Sequence, residues 1–362
     1  MKSINKIPLV VLSTFGHCGV DWLHSLIDSH KEVLILPHLS FFRRIDHLKK
    51  KGIYLDNTLS IDKVANIFTK DLFKKTKIDS YNMFKRSQTQ SAFKKHIKDY
   101  LLVENELDIE KKVFYAIQCA FAKINKINLN KIKIIVTHEH VPWNCYLYNN
   151  FFNSKFLFII REPKKTVAGS LRINKRHKDI PINYHMDGNL LWMLSANKFI
   201  KKLRKKTYLV MKNEDMHKNL KREMIKLSKW LNIKFEKSLL TETFLGKRWM
   251  GESAYLSKVD LKEPYPKDYY KPQNIEKRWR SVLNKKSILV VETVFEEIMI
   301  KYKYKFDNKL NLKKRFVGYI NLLFGFNEAN NFFSSAKGLI KNIIRRILII
   351  FFTKQSAKIV DL

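Results

Sequence analysis

Leu9-Val10-Val11-Leu12-Ser13-Thr14-Phe15-Gly16-His17-Cys18-Gly19-Val20-Asp21-Trp22-Leu23 reads as a strand that stops at a turn and restarts with helical spacing. Its opening is an unbroken apolar, β-branched run, as expected of a strand covered on both faces of a parallel sheet. Gly16 and Gly19 flank His17 and Cys18, so backbone N–H groups can converge on an anion where the following helix begins. A second stretch, Lys155-Phe156-Leu157-Phe158-Ile159-Ile160-Arg161-Glu162-Pro163, repeats the pattern and ends on a lone arginine, a natural phosphate clamp. Both stop where open α/β sheets bind their ligands, at the carboxyl ends of strands.

Working outward, Val33 to Leu36 reads as a second strand, ending at Pro37-His38, and Ile132 to Val136 as a third, closed by Thr137-His138-Glu139-His140-Val141-Pro142. Phe156 to Ile160 is the fourth and Tyr208 to Met211 the fifth, with a long helical stretch around Leu190 to Leu203 between them. Strands that alternate with helices predict an α/β chain, a P-loop-like, doubly wound parallel sheet flanked by helices. We expect one such domain over residues 1–308, with a helical insertion at about 60–130, and a C-terminal helical extension over 309–362. In that tail Leu339, Ile340, Ile343, Ile344, Ile347, Leu348 and Phe351 share one helical face, opposite Lys337, Lys341, Arg345 and Arg346. A basic amphipathic helix of this kind suits an anionic membrane surface or a docking face on the core.

The 362 residues carry a formal net charge of +37, which points to polyanionic partners or, equally, to lysine-rich solvated faces. No specific nucleic-acid partner is expected. Cys18, Cys119 and Cys145 show neither disulfide nor zinc spacing, which favours a reducing compartment. Together with the lack of a signal-like N-terminus or a spanning apolar run, this predicts a cytoplasmic protein, peripheral at most on the inner membrane face.

The first loop lacks the lysine and hydroxyl that end a Walker A loop, since Gly19 is followed by Val20 and Asp21. Magnesium-dependent triphosphate hydrolysis is therefore disfavoured. Gly16 to Leu23, followed by Leu26-Ile27-Asp28-Ser29-His30, resembles the opening of the sulfotransferases that use 3′-phosphoadenosine 5′-phosphosulfate (PAPS), and Phe158-Ile159-Ile160-Arg161-Glu162-Pro163 resembles their second motif. The resemblance implies that Gly16, His17, Cys18, Gly19, Val20, Asp21 and Trp22 hold the 5′-phosphosulfate, and that Arg161 and Ser170 hold the 3′-phosphate. His17 stands where the family has a basic residue, Val20 and Asp21 replace its paired hydroxyls, and Ser170 falls one residue late.

Pro37-His38-Leu39-Ser40-Phe41-Phe42 is similar to the heparan-type segment whose glutamate is the general base, which puts His38 in that role, with His17 beside the reacting group. An imidazole titrates in the range such a base needs. By the same resemblance Glu139 and His140 fall on the acceptor side, and Asn213-Glu214-Asp215-Met216 matches a structural stretch. Lys247, Arg248 and Trp249, in a glycine-punctuated basic loop, are placed to close over the nucleotide. His138 and His140 are expected to point away from one another, and no metal is expected. The implied activity is sulfuryl transfer from PAPS to a hydroxyl of a carbohydrate or glycolipid. A degenerate P-loop kinase and a non-catalytic, polyanion- or membrane-binding module are the alternatives.

Overall fold

The computed structural model describes residues 4–36, 40–56, 59–72, 87–104, 106–174, 182–249, 272–325 and 336–351. Five strands form its central sheet: β1 (Leu9–Thr14), β2 (Val33–Ile35), β3 (Ile134–Glu139), β4 (Ser154–Ile160) and β5 (Tyr208–Lys212). They lie in the order β2-β3-β1-β4-β5, and every neighbouring pair is parallel. All six residues of β1 are buried, as the strand at the centre of a sheet covered on both faces must be. β3 extends to Glu139, past the end expected from sequence, because its polar residues Thr137, His138 and Glu139 are buried like the apolar ones before them.

The chain leaves β1 toward β2 on one side and leaves β4 toward β5 on the other. Their carboxyl ends therefore flank a topological switch point, the place where such sheets open a crevice. Register pairs Thr14 with Ile159, so the turns that follow both strands emerge side by side. α1 (Val20–Ile27) starts from the first turn and α7 (Pro163–Asn174) from the second. α1 buries Val20, Leu23, Leu26 and Ile27 at helical spacing, which holds its N-terminus against the tip of β1.

Between β2 and β3 lie α2 (Phe41–Lys50), α3 (Ile61–Leu72), α4 (Ser87–Val103) and α5 (Ile109–Ile124). α5 is buried continuously from Val113 to Ala122, and Phe41, Phe68 and Phe114 bring α2, α3 and α5 together through ring contacts. α6 (Cys145–Phe151) links β3 to β4, α8 (Ile182–Lys201) links α7 to β5, and α9 (Asn213–Lys218) and α10 (Leu220–Leu231) follow β5. A two-residue-strand hairpin, β6 (Thr243–Phe244) and β7 (Lys247–Arg248), and helices from Pro272 onward complete the chain.

Candidate functional site at the switch point

The loop after β1 is set by backbone rather than side chains. Gly16 (φ 106°) and Gly19 (φ 89°) are both left-handed, a conformation that costs a residue with a Cβ roughly 1–2 kcal/mol. Asn213, the first residue of α9, donates from its side-chain amide to the Cys18 carbonyl at 3.0 Å. A Cβ on Gly19 would stand 2.6 Å from that same amide nitrogen, so glycine is required twice over. Cys18 Sγ is buried, 3.8 Å from Thr166 Oγ1, and burial pushes the thiol up to about 11. It is a packing thiol and not a nucleophile. His17 is half-buried, with its ring 5.7 Å from that of Trp192.

Arg161 is the first residue beyond β4 and remains partly exposed. Its guanidinium passes over α7 at Gly169, 3.8 Å from where a Cβ would be. Its charge is felt by both Cys18 and His217. The His217 ring stacks on Trp22 at 4.3 Å, and burial, then the nearby Arg161, push its pKa down to about 4. Arg161 and Trp22 therefore lie close to the glycine loop at the tip of β1. Ser170 follows Gly169 on α7 and is buried. The arginine turn is braced from beneath: Glu162 N–H donates to Glu214 at 2.9 Å, and buried Lys164 bonds Glu292 at 3.1 Å and Asp307 at 2.6 Å.

On the other side of β1 is a cluster of imidazoles. His138 Nδ1 lies 3.8 Å from Asp21 Oδ1, and His140 Nε2 lies 3.9 Å from the same oxygen. The two rings are 4.2 Å apart, and His24 and His138 share a hydrogen bond at 3.2 Å. The expectation that His138 and His140 point apart is thus wrong. Side chains alternate along a strand with a period of two, so residues i and i+2 share a face. It is Glu139, between them, that turns the other way. Fully buried, it accepts from Val141 N–H at 2.9 Å, and burial raises its carboxyl to about 8. Placed on the acceptor side by resemblance, Glu139 instead secures the turn after β3. One donor atom each from Asp21, His138 and His140 lies within 4.8 Å of the others, donor types and a spacing that could hold a small divalent ion. His24 escaped the sequence reading, although its i+3 spacing from Asp21 on α1 puts the two on one helix face. Asn213 was placed only in a structural stretch; its bond to the glycine loop left no local signal, since that partner is distant in the chain.

His38 lies outside the described residues. Lys247 and Arg248 are exposed on the hairpin and Trp249 is half-buried after it. The hairpin is tied to α1: Asp28, at its end, accepts from Gly246 N–H at 3.0 Å and from Thr243 at 3.1 Å, and Trp22 donates to Glu242 at 3.0 Å.

No protein-family model matches the chain, and no curated protein does. Among solved structures, the sulfotransferase domain from the curacin biosynthetic pathway is similar, with a TM-score of 0.52 at 14% identity, over 83% of this chain and 99% of that one. The sulfotransferase domain from the Synechococcus PCC 7002 olefin synthase also matches, with a TM-score of 0.48 at 12% identity, over 84% of this chain and 98% of that one. The five-stranded parallel sheet, with its glycine loop and arginine turn on neighbouring strands, is a sulfotransferase-like fold.

Proposed function

We propose that the chain moves a sulfuryl group from PAPS to an acceptor hydroxyl on a carbohydrate or glycolipid. The observation that carries this reading is the adjacency of three elements around the tip of β1. These are a left-handed glycine loop at a helix N-terminus, an arginine on the neighbouring strand, and an imidazole–carboxylate cluster on the strand opposite. The residues present suit the donor. Loop amides from Gly16 to Val20, with His17, would hold the 5′-phosphosulfate, and Arg161 the 3′-phosphate, with Ser170 behind it on α7. Trp22, stacked on a neutral His217 beside Arg161, gives the crevice a flat aromatic wall.

Among the described residues, His140 is the imidazole best placed to take the acceptor's proton. It is the more exposed of the β3 pair, and the Asp21 carboxylate 3.9 Å away favours the imidazolium that results. The acceptor oxygen bonds to sulfur as the bond from sulfur to the bridging phosphate oxygen breaks, and the loop N–H groups stabilise the charge left on phosphate. His38, expected from sequence to be this base, is the competing candidate. The carbohydrate acceptor is supported by the heparan-type resemblance around Pro37 to Phe42.

Calorimetry with 3′-phosphoadenosine 5′-phosphate, and transfer of labelled sulfate from PAPS to a glycan panel, test this reading. Arg161→Ala should weaken nucleotide binding at least about tenfold, the loss of one charge-assisted phosphate contact. His140→Ala should bind nucleotide as wild type and lose transfer. If wild-type protein binds no nucleotide, the fold serves as a non-catalytic module. If His140→Ala transfers normally while His38→Ala does not, the base is His38.

A further inference from the structure

We propose that the C-terminal region docks the protein on an anionic bilayer surface through two helices whose apolar stripes face outward. The first helix, Leu312–Ile320, exposes Leu312 (82%), Phe316 (66%), Tyr319 and Ile320, and runs directly into a π turn, Asn321–Gly325, that exposes Phe324. The second, Ala336–Phe351, exposes Ile340, Ile344, Ile347 and Phe351 (66%), which fall three or four residues apart on one stripe. Ten of the fourteen large hydrophobics exposed among the described residues lie between Leu312 and Phe351. Concentration of this kind marks an interaction site, whereas scattered surface hydrophobics need no explanation.

One cation of the second helix turns inward: Arg346 is buried and donates to the Leu322 carbonyl in the π turn at 2.6 Å. Ile349 is buried, and Lys198 of α8 reaches the Phe351 carbonyl at 3.2 Å. These contacts fix the helix against α8 and the π turn, so both stripes and Phe324 belong to one corner of the molecule. No helix among the described residues is long and apolar enough to cross a membrane. The stripes therefore suit lying in the interface plane.

Charge selects the occupant. Residues 309–362 contain ten Lys and Arg against only Glu328 and Asp361; Arg346 is buried and Arg315 is paired with Glu296, while Lys309, Lys313 and Lys314 are exposed beside the first stripe. A second copy would bring the same cations face to face with few carboxylates to meet them. An anionic lipid surface meets them with phosphate, and the apolar stripe enters between headgroups.

The test is flotation of the full chain with vesicles of phosphatidylglycerol and phosphatidylcholine, and with phosphatidylcholine alone. Wild type should float with the anionic vesicles, much less with the neutral ones, and less as salt rises from about 0.1 to 0.5 M. Phe316→Glu with Ile344→Glu, both at exposed positions, should keep the wild-type circular dichroism and lower the partition coefficient about tenfold or more, since two buried apolar anchors and two charges change together. Lys313→Glu with Lys314→Glu should weaken only the anionic component. Partition unchanged in Phe316→Glu/Ile344→Glu would overturn the proposal. So would a wild type that ignores vesicles and forms a dimer which that variant abolishes.

Discussion

Gly19→Ala is the sharpest perturbation of the loop, because the structure separates its cost into two parts. The first is backbone: at φ 89° an alanine forfeits about 1–2 kcal/mol whatever its neighbours. The second is a collision, since the new methyl would stand 2.6 Å from the Asn213 side-chain nitrogen. Asn213 must move, and the hydrogen bond it makes to Cys18 is lost in a buried place, at about 1–3 kcal/mol. The total, about 3 kcal/mol, corresponds to a Tm lowered by roughly 4 °C in a chain of this size. Repeating the substitution in an Asn213→Ala background removes the collision but not the backbone strain, so there Gly19→Ala should cost only about 1–2 kcal/mol. Thermal unfolding of the four proteins gives the coupling directly, and calorimetry with 3′-phosphoadenosine 5′-phosphate reports whether the loop still gathers its amides. Equal costs of Gly19→Ala in the two backgrounds would refute the idea that α9 dictates the shape of the loop.

Glu139 makes stability fall with rising pH. Its carboxyl is held near 8 against an ordinary 4.5, so its own contribution falls by about 1.4 kcal/mol per pH unit from about pH 4.5 until the slope ends near pH 8; His217, held near 4 against 6.5, offsets that fall below about pH 6.5 and leaves it uncovered above. Glu139→Gln, neutral throughout, should flatten that slope in urea titrations at pH 5 and pH 8. Lys164→Ala should cost about 3–5 kcal/mol in the same assay, because it leaves Glu292 fully buried without its cation. Zinc should inhibit transfer in competition with the acceptor by bridging Asp21, His138 and His140, with recovery on chelation and lower sensitivity in Asp21→Asn. Cys18, buried with its thiol near 11, should resist iodoacetamide at pH 8 until the protein unfolds, as mass spectrometry would show.

Strand existence was legible because β1 and β4 are apolar, β-branched runs that no amphipathic surface element resembles. The glycine loop and Arg161 were legible for a related reason, since both follow directly from a strand end. The side-by-side tips of β1 and β4 were implied by the single nucleotide both are expected to grip, but the place of β3 was not. That β1 lies between β3 and β4 depends on pairings more than a hundred residues apart, and this order alone brings Asp21 to His138 and His140. The error over the two histidines was different in kind, because the period of a strand places them together without any tertiary knowledge.

The tail shows where pattern reading meets its limit. An amphipathic helix has two faces, and its sequence does not say which one the core accepts. A cationic face ordinarily stays in water because desolvating a guanidinium is costly. Here the π turn offers Arg346 a backbone carbonyl, which compensates part of that cost, and the apolar stripe is left outside. A turn about twenty residues away in the chain therefore contributes to which face is accepted. Replacing Arg346 with leucine would remove the cation while leaving the carbonyl without it. If the outward stripe depends on that bond, Arg346→Leu should expose the helix to limited proteolysis and lower vesicle partition together. Loss of neither would mean that α8, through Lys198 and the packing of Ile349, holds the helix by itself.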